Sequence, residues 1–192
     1  GDGDSGPLDT GDGDGDTGPI TDSSVGDGDG DGDTGTSETG DPLTVFLFGT
    51  ANDYQGALGP IGQIRGAANG FCQTELLQQG WDLGCTEYAA MISISGEDTI
   101  ALLPDTHGLP AGAKVFGPYG ENVADSWEQL LNEDLLSTLA DAGAMYPGEF
   151  FWSGATTTGG WTGTNCGGFS NADSSGSSIV GASSTVSATG WL

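Results

Sequence analysis

Residues 1–41 repeat glycine and aspartate, and that repeat bars them from building a core. GDGD stands at 1–4, GDGDGDTG at 11–18 and GDGDGDGDTG at 26–35. The segment holds 13 of the chain's 37 glycines and 13 of its 28 acids, with no lysine or arginine. Glycine loses the most backbone entropy on ordering, and neighbouring aspartates repel. Only Leu8, Ile20 and Val25 offer sizeable apolar surface. The segment therefore reads as a disordered acidic linker, with a root-mean-square span of roughly 35 Å. Folding falls to residues 42–192, enough chain for one domain with a real core.

Asp27, Asp29, Asp31 and Glu38 match the calcium-loop spacing D-x-D-x-D-G-x5-E. Alternating carboxylates can surround a hard cation with oxygen. A Gly-Asp repeat meets much of that pattern by composition alone, and no amphipathic helix flanks it. The expectation is loose calcium association in the tail and no dedicated cofactor. A calcium-responsive spacer is one alternative function.

The net charge is -26, and residues 42–192 carry 15 acids against Arg65 and Lys114. Nucleic acid, heparin and anionic lipid would be repelled by such a surface. No apolar run approaches the roughly 18 residues of a membrane span, so no membrane insertion is expected. The sequence opens at Gly1 without an apolar leader. Any signal peptide would have been removed or would lie upstream, as would a lipid anchor.

Periodicity gives coarse elements. Thr44–Phe48 suits a central strand. Ile61, Ile64, Ala68, Phe71, Cys72 and Leu76 recur at spacings of three and four, which predicts a helix over about 62–79. Gly66 and Gly70 weaken it, and close packing against a strand would explain them. Residues 88–95 read as a strand, with short strands near 99–103 and 114–117 in a Gly/Pro-rich stretch. Asp125 and Glu128 read as a capping pair opening a helix that buries Trp127, Leu130 and Leu131. Phe150–Trp152 reads as a strand with Trp152 in the core.

Three stretches, in order, carry a resemblance. Tyr54 to Cys72 is a glycine-rich loop running into a cysteine-bearing helix. Gly120 to Leu131 ends in Ser-Trp-Glu-Gln-Leu-Leu. Phe151-Trp-Ser-Gly154 is followed by Cys166. Together they resemble the endostatin domain, a variant of the C-type-lectin-like fold, and its bacterial secreted relatives, over residues 43–192. The resemblance implies an α+β fold with a mixed antiparallel sheet and two helices. It implies partners for Cys72 and Cys166 in a final, cysteine-bearing strand that pairs with the first strand. The chain stops before such a strand, so a truncated C-terminus is expected and a Cys72–Cys166 bond is not. Cys85 matches no family position. It follows Cys72 by 13 residues, so a small-loop bond to Cys72 is an alternative. The histidines that bind zinc and the arginines that bind heparin in vertebrate endostatins are absent.

Asp105-Thr-His107-Gly108 looks at first like a protease histidine motif, yet no serine sits in a matching nucleophile motif. His107 reads as a loop histidine. Glu97/Asp98 and Glu133/Asp134 read as solvated pairs. Trp161, in a Thr/Gly-rich turn, is the candidate ligand-binding aromatic. The resulting expectation is a non-enzymatic binding or adhesion module, extracellular or at a bacterial cell surface, with an unknown protein or glycan ligand. A cryptic hydrolase using carboxylates or His107 is the other alternative.

Overall fold

A computed structural model describes residues 43–172 and 177–192, which fall in one unit, Thr39–Leu192. The 1–41 segment, with Asp27, Asp29, Asp31 and Glu38, lies outside the described residues. The fold is mixed α/β, with four helices and two small sheets among the described residues.

β1 (Thr44–Phe46) pairs in parallel with β2 (Lys114–Phe116), and β2 pairs antiparallel with β3 (Asn122–Ala124). The order is β1-β2-β3, so the expected central strand lies at an edge. The second sheet pairs β4 (Phe150–Trp152) antiparallel with β5 (Val180–Ala182).

α1 (Ile64–Gln79) forms where the periodicity predicts a helix, and Gly80 closes it in the left-handed conformation. Its buried stripe is Ile64, Ala68, Glu75 and Leu76, while Ile61 precedes the helix and is exposed. Gly66 and Gly70 face open space, so close packing does not explain them.

Residues 88–95 do not form the expected strand, because side chains take their backbone bonds. The Arg65 guanidinium donates to the carbonyls of Ala90 and Ile92. Asn69 accepts from Ala90 N–H at 2.8 Å, and Asn165 donates to the carbonyls of Ser93 and Ile94. Residues 100–107 are also helical rather than extended. A 3-10 turn (Ile100–Leu102), capped by the Thr99 hydroxyl, which accepts from Leu102 N–H, runs into α2 (Leu103–His107), with Pro104 in its first turn.

α3 (Trp127–Asn132) starts one residue later than the Asp125/Glu128 pair implies. Ser126 is the cap, accepting from Gln129 N–H, and the Gln129 amide oxygen accepts from Asp125 N–H. The Asp125 carboxylate is held instead by Lys114 at 2.9 Å, which draws its pKa down. α4 (Cys166–Phe169) winds left-handed through all four residues, including Cys166 (φ 55°) and Phe169 (φ 60°). Each non-glycine residue there costs about 1–2 kcal/mol. Asn165 holds the turn by accepting from Gly168 N–H while bonding the 93–94 carbonyls.

Two apolar clusters result. The larger gathers α3, β2, β3, the 135–144 turns, Trp191 and Leu192, with Trp127, Leu130 and Leu131 buried as expected. The smaller packs Ile64 and Ala68 of α1 on Ala90, Ile92 and Phe169.

Candidate functional site

A groove of about 650 Å³ opens between these clusters. Eight aromatic rings line it, among them Phe48, Tyr54, Phe71, Phe150, Phe151 and Trp152. Ala68 and Cys72 contribute from α1, Phe169 from α4, and Met91 and Met145 add deformable thioethers.

One wall is the 47–55 segment, anchored by a single carboxylate. Glu75 is fully buried on the apolar stripe of α1. Its Oε2 accepts from Ala51 N–H at 2.9 Å, and its Oε1 accepts from Asn52 Nδ2 at 2.5 Å and the Tyr54 hydroxyl at 2.6 Å. Burial pushes its pKa up, but these donors outweigh that cost and hold it below the usual carboxylate range. The Tyr54 hydroxyl is correspondingly raised to about 12, by desolvation and then by its bond to Glu75. Gln79 donates to Gly49 O, and Tyr54 stacks on Phe71 with centroids 4.5 Å apart.

The opposite wall is β4. Trp152 is 41% exposed and lines the groove, which corrects its expected place in the core. Among the described residues β4 has a single partner strand, which leaves this aromatic at a sheet edge. Asp53 and Glu149, both exposed, put carboxylates on the lining.

Both cations of the chain are engaged elsewhere. Arg65 forks onto Asp98, with Nη2–Oδ1 at 2.5 Å, so Asp98 is not the solvated carboxylate expected beside Glu97. Asp134 accepts from Ala188 N–H and pins the C-terminal loop.

The remaining sequence-predicted residues do not converge. Trp161 is 47% exposed but lies outside the groove lining. Cys166 is buried beside Gly56, whose missing Cβ leaves room for its sulfur. Cys85 is half-buried, and its thiol points to Leu83 O at 3.8 Å. Cys72 sits in the groove, where burial pushes its pKa up to about 11 against the pull of Arg65. All three cysteines are unpaired, so the Cys72–Cys85 bond is not formed. His107 ends α2, also outside the lining. No cluster of three or more potential metal-ligating side chains occurs among the described residues.

Sequence reading missed Glu75, although one signal was present: an acid falling in step with Ala68, Phe71 and Cys72 on an apolar face. Tyr54 and Asn52 carried no such signal, because a loop has no period.

No helix among the described residues is long and apolar enough to cross a membrane. Comparison with protein-family models gives no match, and comparison with curated proteins gives no significant one.

Proposed function

We propose that the folded unit is a non-enzymatic binding module of endostatin-like, C-type-lectin-like type, carried behind the acidic 1–41 segment outside the cell or at its surface. The observation that carries this reading is the aromatic groove. Eight rings and two methionines stand around one opening, which is how binding sites collect apolar contact area. Rings left at a surface serve recognition better than packing, and Trp152 and Phe150 are exposed enough to meet a partner. The surface charge disfavours polyanions, so the ligand offers apolar rather than anionic chemistry.

The test is a screen of the full chain against immobilised protein and glycan collections, repeated with Trp152→Ala. That side chain is partly exposed, so its removal should leave the fold standing. A saturable ligand whose affinity falls at least tenfold in the variant supports the module. A ligand indifferent to the substitution, or substrate turnover with no saturable ligand, refutes it.

A further inference from the structure

Several groups around the groove carry backbone hydrogen-bonding capacity that no other described residue uses. Just past β1, Phe48 makes no backbone hydrogen bond to another described residue, although Leu47 and Gly49 on either side both do. Met91 likewise makes none, because Arg65 and Asn69 serve Ala90 and Ile92 on the other side of the segment. On β4, Ser183 N–H bonds Glu149 O and Ser153 N–H bonds Ile179 O. Antiparallel alternation then turns the backbone of Phe150 and Trp152 away from β5. Phe48, Met91, Phe150 and Trp152 all line the one groove.

From this juxtaposition we infer that the groove's occupant is an extended peptide segment of a partner protein. It adds as a strand to these open edges and bears basic residues at its ends. The inference rests on the binding-module reading and deepens it. A glycan or lipid could fill the apolar space but could not supply alternating N–H and C=O groups to two edges. A peptide strand supplies both, and its alternate side chains drop among the rings. The basic ends follow from charge. Asp53 and Glu149 stand in the lining, and both of the chain's own cations are already in ion pairs with Asp98 and Asp125. A second copy of this chain, at -26, would be repelled from the same face.

The experiment selects a phage-displayed random nonapeptide library on the full chain, then measures the enriched sequences as synthetic peptides by calorimetry. Nile red, a neutral apolar dye, serves as a parallel probe of the groove. Enriched peptides should alternate large apolar residues with others and carry Lys or Arg at their ends. Methylating two alternate backbone amides should weaken binding at least tenfold, and Trp152→Ala should do the same. Exchanging the terminal basic residues for Glu, or making Asp53→Asn, should weaken it several-fold. Methylated peptides that bind as well, enriched sequences without basic ends, or binding unchanged by Trp152→Ala would each overturn the inference. So would self-association of the chain abolished by Trp152→Ala, which makes a second copy the occupant. If Nile red binds in a Trp152-dependent way and no peptide is enriched, the strand-addition inference fails and the groove reading stands. If neither binds, both fall.

Discussion

Replacing Glu75 by glutamine tests whether one buried carboxylate holds the groove wall. The substitution keeps the shape and removes the charge. Oε1 still accepts from Asn52 and Tyr54, as it does in the native chain. The new amide nitrogen then faces Ala51 N–H, which bonds Oε2 at 2.9 Å in the native chain, and two donors meet in a site closed to solvent. An unsatisfied buried donor costs about 1–3 kcal/mol, and hydrogen bonds lose roughly half their strength when the acceptor loses its charge. The expected loss is about 2–4 kcal/mol, or roughly 5–15 °C in Tm for a chain of this size. Because the folded-state pKa lies below the ordinary value of 4.5, the carboxylate's contribution is present in full above that value. It is lost as pH falls from there through the folded-state pKa. The gap between native and variant should therefore narrow on acidification. Urea denaturation at pH 7 and at steps down to pH 3 measures both quantities, with the exposed Glu121→Gln as a control for net charge. A difference below about 0.5 kcal/mol at pH 7, or one that does not change with pH, refutes the reasoning.

Removing the Arg65 fork with Arg65→Met should cost about 3–5 kcal/mol by denaturant melting, because Asp98 and the Ala90 and Ile92 carbonyls lose their donor together. A cost near that of an exposed pair, under 1 kcal/mol, would show the 88–95 segment to be held otherwise. Gly66→Ala and Gly70→Ala should each stabilise by about 0.5–1 kcal/mol, since both positions are helical and open. Gly117→Ala should instead cost about 3 kcal/mol or more, because its Cβ would stand 2.0 Å from Ala142 O, a backbone atom that cannot step aside. Equal melting temperatures for the three would contradict this. Cys72 should make the native chain less stable above pH 9. Its thiol is neutral in the fold up to about pH 11 but ionises from about pH 9 once unfolded, so unfolding releases a proton in that window. By pH 11 the native chain should have lost about 2–3 kcal/mol more than Cys72→Ala, in which the raised Tyr54 hydroxyl still weakens the fold from about pH 10.

Periodicity made α1 and α3 legible, because an apolar stripe at helical spacing is a local signal with one solution. It failed on residues 88–95 for a physical reason. A run of β-type residues implies extended backbone, but not that a neighbouring strand will take its hydrogen bonds. Here the takers are Arg65, Asn69 and Asn165, two of them on a helix more than twenty residues away. The same limit explains Asp125 and Glu128, whose spacing satisfies a capping pattern while Lys114 competes for the carboxylate. It also explains Trp152, whose burial depended on how many strands would flank β4.

The groove follows from those same substitutions of side chain for strand. Arg65 and Asn69 satisfy Ala90 and Ile92 from the helix side, so the 88–95 segment needs no strand on that flank. Among the described residues, its backbone reaches the β4 side through one bond, from Ser93 N–H to O of Ser153, the residue after the strand, at 2.7 Å. Beyond that bond the two diverge, Met91 and Trp152 are left without mutual pairing, and the space between fills with rings rather than with a ladder. A sheet zipped along that line would have closed the opening. The left-handed turn at Cys166–Phe169 belongs to this arrangement. Asn165 bonds Ser93 O and Ile94 O while capping the turn, so the strain in Cys166 and Phe169 is tied to the same segment. The side chains that spoil the strand pattern in the sequence are thus the ones that keep the groove open.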